Sequence, residues 1–290
     1  MSSCSWWRVA AVADGQPIAS LMSVPQRSVW LLGQRPVDAQ RRGKYVPGSA
    51  AHPQRMWPDL ATAAIIRYSQ PGNLILDPMA GVGTTLIEAV AAARDTIGIE
   101  YEPNWVRLAQ ANLHRANQAG GTGQGTALAG DATALSDVLP SALRGRVALV
   151  VTSPPHGRPL QGRVANRTRR VDLAAGLTAV LTGCLPLLRP DATVVVTLRR
   201  HPNHPPVDPP DAIPAAGAGA GLTLIEHNIG VLADAHDGQL VPTSPSSPPA
   251  TTAPRRDGSS LHTSAYEDIY VFRHQPTTDL VAPDQHGVRP

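Results

Sequence analysis

Apolar and polar positions along the chain switch repeatedly between helical and strand periods. From Trp57 to Tyr68, WPDLATAAIIRY has helical spacing, with Leu60, Ala64 and Arg67/Tyr68 marking turns and Pro58 in a first turn that tolerates it. QPG ends that helix, Leu74 to Leu76 reads as a short buried strand, AGVGT as a turn and TTLIEAVAAA as a helix. The alternation continues through a strand Thr96 to Glu100, a helix opened by Pro103, a strand Thr126 to Asp131, the strand RVALVVT, a helix Val171 to Leu188 and a strand Thr193 to Leu198. Strands alternating with helices of this length need a parallel sheet covered on both faces. The predicted fold class is therefore α/β, a doubly wound and mostly parallel seven-stranded sheet.

The pattern weakens after Arg200. Prolines leave at best a broken helix from Asp211 to Ala220. LTLIEHNIGVLA and EDIYVF then read as strands, an antiparallel pair closing one edge. The predicted organisation is an irregular N-terminal arm (1–46), one α/β domain (47–274) with a low-complexity Ser/Pro-rich loop (241–260), and a flexible tail (275–290).

Composition narrows the function classes. An apolar share of 42% over 290 residues suffices for a sizeable core. No stretch approaches the roughly 18 to 20 apolar residues of a membrane span, and the first residues lack a charged leader before a long apolar core. No membrane association is expected, and the expected location is cytoplasmic. The two cysteines, Cys4 and Cys184, offer neither a disulfide framework nor a metal-ligand spacing, so no metal is expected. The net charge of +3 is mild, but Lys44 is the only lysine and the arginines cluster in QRRGKY, GRPLQGRVANRTRR and TLRRH.

In an open α/β sheet ligands bind beyond the carboxyl ends of the strands. After the first strand stand Asp77 and a turn with Gly81 and Gly83, opening a helix whose N-terminal amides favour an anionic group. A phosphate loop would need Gly-Lys-Ser/Thr, which is absent, and a dinucleotide fingerprint would need a third glycine where Leu86 stands. That disfavours a nicotinamide enzyme. Glu100 closes the next strand, suited to ribose hydroxyls, and Asp131 the one after it, placed to accept from an adenine amine. Each acid singly is equally well read as a helix N-cap. Together, around a glycine turn, they suit a nucleoside with a zwitterionic end, such as S-adenosylmethionine.

The fourth strand ends in TSPPH. Pro154 and Pro155 fix φ and remove two amide donors, leaving carbonyls that only accept; Ser153 adds an acceptor. Such a wall can hold an exocyclic amine with its nitrogen lone pair facing an electrophilic methyl.

VTSPPH resembles the Thr-Ser-Pro-Pro-Tyr/Phe turn of the amino-methyltransferases that act on nucleic-acid bases, in the form typical of DNA cytosine-N4 methylases. ILDPMAGVGTT is similar to their cofactor motif, and AHPQRMWPDLATAAIIRYSQPGNLILDP to the cofactor-contacting helix before it. The resemblance runs from about His52 to Leu198 and extends to bacterial tRNA guanine-N2 methyltransferase-like proteins. It implies a Rossmann-like methyltransferase fold and S-adenosylmethionine as cofactor, held by Asp77, Met79, Gly81, Gly83, Thr84, Thr85, Glu100, Tyr101, Asp131 and Ala132. It also implies direct methyl transfer to a base turned out of its stack, with Ser153, Pro154, Pro155 and His156 at the acceptor. The implied substrate is DNA, at cytosine-N4 or adenine-N6, with tRNA as the alternative. No cysteine adduct is needed, so Cys184 is expected to be core.

His156 departs from the pattern, where Tyr or Phe would stack on the base. Two readings stand: an imidazole that stacks, or a loop residue of a module that binds cofactor without catalysing. Arg158, Arg163, Arg167, Arg169 and Arg170 follow at once and are expected to contact phosphates.

Overall fold

The computed structural model describes residues 25–155, 173–199, 211–236, 239–242 and 266–275. In chain order these build β1 (Val29–Leu31), α1 (Val37–Arg41), α2 (Pro58–Tyr68), β2 (Leu74–Asp77), α3 (Thr84–Ala91), β3 (Asp95–Glu100), α4 (Pro103–Gln118), β4 (Gly125–Ala129), α5 (Leu135–Val138), β5 (Val147–Thr152), α6 (Leu173–Cys184), β6 (Leu188–Leu198), α7 (Ala212–Gly219), β7 (Thr223–Val231), β8 (Ala233–His236), β9 (Gln239–Pro242) and β10 (Tyr266–Arg273).

The main sheet runs β1-β7-β10-β6-β5-β2-β3-β4, parallel except for β10, which pairs antiparallel with both β6 and β7. This is the doubly wound α/β architecture with an antiparallel strand expected from the alternation. Every residue of β5 is buried, because helices cover both of its faces. On one face Leu76, Ile99, Val150, Val194 and Val196 pack under Leu177 and Leu181 of α6 and Ile213 of α7. On the other, Ile75, Leu149, Val151 and Val195 pack under Leu60, Ala64 and Ile65 of α2, and α3 and α4 complete that layer.

The strand count is eight rather than seven, because part of the arm read as irregular joins the sheet. β1 pairs in parallel with β7, and Leu32 N–H donates to the Val231 carbonyl at 2.9 Å. Three residues are too few to show a period. Trp30 alone turns inward, at 4% exposed, while Val29 and Leu31 are exposed. The register is held instead by buried Asn228, whose Oδ1 accepts from Ser28 N–H and Oγ, both at 2.9 Å.

Three other boundaries differ. The helix expected to reach Leu188 stops at Cys184, where Pro186 forces a short 3-10 turn, and β6 begins at Leu188 rather than Thr193. The proline-laden stretch does form a helix, α7, because Pro214 lies in its first turn and Ile213 and Ala216 are buried. A small β8–β9 hairpin, unforeseen from the sequence, precedes most of the Ser/Pro-rich loop, whose residues 243–260 lie outside the described residues, as do 276–290 of the tail.

Candidate active site

Strand order reverses at β2: β3 and β4 lie to one side, β5 and β6 to the other. The crevice at such a switch point, outside the carboxyl ends, is where doubly wound sheets take ligands. The glycine turn after β2 and the proline turn after β5 therefore stand on adjacent parallel strands.

Asp77 joins them. Its carboxylate, 3% exposed, accepts from Thr152 Oγ1 at 2.9 Å and from Met79 N–H at 3.1 Å, and Thr85 also hydrogen-bonds to it. Thr152 immediately precedes Ser153, so this acid couples the two turns. Burial raises its pKa to about 6, against the pull of those three donors.

Gly81 and Gly83 both have positive φ, 54° and 84°, and Gly83 is the N-cap of α3. A side chain at Gly81 would meet His52 Nε2 at 3.0 Å, so the turn passes close beneath the imidazole at a left-handed φ that favours glycine. Glu100 holds the turn from β3: Oε2 accepts from Gly81 N–H and Oε1 from Glu102 N–H, each at 2.8 Å. Burial raises the Glu100 pKa, and the backbone donors at Glu102 and Gly81 oppose the shift. Asp131 does act as a cap, its Oδ1 accepting from Thr133 N–H at 2.8 Å and Thr133 Oγ1 at 2.7 Å.

The remaining expected cofactor contacts divide. Tyr101 is 40% exposed beside Glu100, Ala132 is half-buried beside Asp131, and Met79 is partly buried at the turn. Thr84 and Thr85 are instead buried, at 5% and 1%, turned towards Tyr45 and Asp77 respectively. They shape the turn from behind. At the acceptor side Ser153 Oγ donates to the Thr197 carbonyl of β6 at 3.4 Å, Pro154 is buried and Pro155 exposed. His156 and Arg158, Arg163, Arg167, Arg169 and Arg170 lie outside the described residues.

Several residues of the site had no role assigned from sequence. His52 stacks edge-on against Trp105, with ring centroids 4.8 Å apart, and burial depresses its pKa to about 4. It is a neutral wall over the glycine turn at physiological pH. Its place in AHPQRMWP was the available signal. Asn112, fully buried in α4, donates from Nδ2 to the Val82 carbonyl at 2.8 Å and accepts at Oδ1 from Val46 N–H at 2.7 Å. Lys44 clamps buried Glu88 of α3 through both carboxylate oxygens, at 2.8 and 2.7 Å, and Thr62 adds a third bond. Together they bind residues 44–57 against α3 and α4 around the glycine turn. No short-range pattern marks Asn112 or Glu88, because their partners lie 26 or more residues away.

The donor set suits S-adenosylmethionine. Glu100 offers a half-buried carboxylate at the tip of β3, the glycine turn lets backbone approach closely, and neutral His52 brings no positive charge towards a sulfonium. Among the described residues no cluster of three or more His, Cys, Asp or Glu could hold a metal ion. No helix among them is long and apolar enough to cross a membrane.

A family model described as DNA methylase matches residues 20–111. The resemblance to the base amino-methyltransferases holds for that segment. The match takes in the later part of the arm, α2, the glycine turn and Glu100, and ends before the Ser153 turn. The type II methyltransferase M.HinfI of Haemophilus influenzae is 35% identical over 88 residues, 30% of this chain and 24% of that protein. M.MthZI of Methanothermobacter thermautotrophicus is 39% identical over 56 residues, 19% of this chain and 16% of that one. The matched segment thus spans about a quarter or less of these curated relatives. Among solved structures, TrmN from Thermus thermophilus aligns with a TM-score of 0.48 and 21% identity, covering 81% of this chain and 52% of that one. S-adenosylmethionine as the expected cofactor agrees with the methylase match.

Proposed function

We propose that the chain transfers a methyl group from S-adenosylmethionine to an exocyclic amine of a nucleic-acid base, DNA cytosine-N4 or adenine-N6. The observation that carries this reading is the Thr152–Asp77 hydrogen bond, which sets the acceptor turn beside the glycine turn at the switch point. The DNA methylase match supports DNA over RNA. The catalytic unit in this reading is the α/β domain from about residue 47, with β1 and the 44–57 segment packed on it.

Glu100 takes the ribose hydroxyls on carboxylate lone pairs that Gly81 and Glu102 do not use. Asp131 faces the adenine end, and Gly81 and Gly83 line the methionine end. The cofactor supplies a methyl on a sulfonium, electrophilic without metal help. Ser153 directs its hydroxyl hydrogen to Thr197, so its oxygen lone pairs are left to accept from the base amine. Pro154, which has no N–H, contributes a carbonyl that can only accept. Held at both N–H groups, the amine presents its lone pair along the transfer line. The proton leaves to water, since a serine hydroxyl is a weak base. Cys184 takes no part: it is fully buried, and desolvation pushes its thiol up to about 12. His156 stacks on the flipped base, and the arginines from Arg158 to Arg170 meet the phosphates around the entrance.

Incubation with methyl-labelled cofactor and separate DNA and tRNA pools tests the reading. Label is expected in DNA, on an amino group; label in tRNA alone would change the substrate, and label in neither would leave a cofactor-binding module. His156→Tyr is expected to preserve or raise transfer.

A further inference from the structure

The outer edge of the sheet carries a second cluster of ionisable side chains, away from both turns. Gln26 bridges Glu226 just before β1, so Arg27 stands beside His227 of β7, and the two line a cavity of about 280 Å³ with Ser28, Val29 and Ile229. Behind the imidazole, Asp268 of β10 is 2% exposed, and its Oδ1 lies 2.9 Å from His227 Nε2. A carboxylate only accepts, so Nε2 carries the hydrogen of that bond. The ring also stacks on buried Tyr270, with centroids 4.4 Å apart and planes 8° apart. The imidazole is fixed on two sides, yet its side chain stays 25% exposed.

Positive charge on this face points outward. Strand alternation turns the neighbouring acids to the opposite face, where Glu226 accepts from Tyr68 Oη at 2.7 Å and Asn228 Nδ2 at 2.8 Å, and Glu267 approaches Arg199. Arg27 has no ion pair among the described residues. An exposed guanidinium beside an oriented imidazole suits an oxyanion, because an anion in the cavity selects the imidazolium, in which both ring nitrogens donate. Val29 and Ile229 add an apolar wall for the rest of the ligand, and the volume fits a small one. A phosphate ester combines that charge with a compact body.

Position separates the cavity from the cofactor crevice. Register sets Thr152, Val196, Tyr270 and His227 in one row across β5, β6, β10 and β7. His227 is therefore three strand spacings, about 14 Å, from the strand that ends in the Ser153 turn, and four, about 19 Å, from β2. A nucleic-acid strand carries a phosphate about every 3.4 Å of helix axis, so 14 Å corresponds to about four phosphates from a base at Ser153. We propose that Arg27 and His227 bind the phosphate group of a phosphate ester, supplied by the nucleic-acid backbone or by a free sugar phosphate. The backbone source rests on the nucleic-acid reading above, and the free source does not.

The test uses the full chain saturated with S-adenosylmethionine. Affinity for a short DNA duplex and for bulk tRNA is measured across a salt series, and ribose 5-phosphate, which carries no base, is titrated while the imidazole resonances are followed. Three variants accompany the parent: Arg27→Gln at an exposed position, His227→Gln, whose amide can still donate to Asp268, and Arg144→Gln, the same loss of charge at an exposed position before β5. With the backbone as source, Arg27→Gln and His227→Gln should each bind nucleic acid about tenfold more weakly than Arg144→Gln at low salt. The slope of log affinity against log salt should be shallower by about 0.7 to 0.9 in Arg27→Gln, and Arg27→Lys should restore it. With a free ester as source, ribose 5-phosphate should shift the His227 resonances saturably in the parent and not in Arg27→Gln, while nucleic-acid binding matches that of Arg144→Gln. Nucleic-acid slopes equal to that of Arg144→Gln, with no response to ribose 5-phosphate, overturn the proposal and leave the nucleic-acid reading standing. A parent that binds ribose 5-phosphate through these residues but no nucleic acid keeps the site and overturns that reading. A parent that binds neither overturns both.

Discussion

The two turns that face each other across the crevice are held in different ways. The glycine turn after β2 is tied by side chains from β3 and α4, Glu100 to Gly81 N–H and Asn112 to the Val82 carbonyl, and by Asp77 at its own start to Met79 N–H. At the Ser153 turn after β5, Ser153 donates to the Thr197 carbonyl at 3.4 Å and two prolines follow. The first is held largely by tertiary contacts, and the second is stiffened by a covalent structure that removes φ freedom. A cofactor bound in each turnover gains from a preformed cradle. An acceptor turn must admit and release a base, so stiffness built into its own backbone suits it.

If this contrast is right, damage to the cofactor side should cost stability and damage to the acceptor side should cost activity. Asn112→Ala should have the largest effect. It strands the Val46 N–H and the Val82 carbonyl in a fully buried site, for about 4 kcal/mol by denaturant unfolding, and should weaken cofactor binding as well. A loss under about 1 kcal/mol would show that the turn does not depend on it.

Asp77→Asn comes next and works through pH. The Asp77 pKa is raised in the fold from 3.8 to about 6, so the folded state binds the proton more tightly than the unfolded chain. Stability contributed by this group is therefore full below about pH 4 and declines as pH rises through about 6, by at most about 3 kcal/mol. Asparagine can still accept from Met79 and Thr152 and carries no charge, so the melting temperature of the variant should lose that decline between pH 4 and 7. Parallel pH profiles for the two proteins would place the charge elsewhere.

Lys44→Met leaves the Glu88 carboxylate buried with Thr62 as partner, at a cost of about 2 kcal/mol near neutral pH. Because burial already raises the Glu88 pKa, the loss should shrink as pH falls and the group takes up a proton. Ser153→Ala should do least to stability, under about 0.5 kcal/mol, since a 3.4 Å bond contributes little. It should nonetheless lower methyl transfer about tenfold, which sharpens the division between the two turns.

Legibility followed the range over which the physics acts. Apart from the four-residue α5, which is too short to show a period, the core strands and helices from Trp57 to Thr152 were readable because burial imposes periods of 3.6 and 2 on neighbouring residues. Gly81, Gly83 and the prolines were readable because they constrain their own φ. Thr84 and Thr85 show where a motif stops being informative: it names residues without saying which way they point, and packing turns both side chains inward. β1 was missed because three residues carry no period and its register depends on Asn228, 200 residues from Ser28.

By itself, then, the sequence determined the alternation of strands and helices, the glycine turn, the proline turn and the carboxylates at successive strand ends, all properties of short segments. Only the tertiary structure decided that Asp77 links the two turns, that His52 covers Gly81 as a neutral ring, and that Asn112 and Glu88 tie the segment before α2 to α3 and α4. Hydrogen bonds and charges act through space over a few ångströms, and the residues that share them are brought within reach only when the sheet orders its strands.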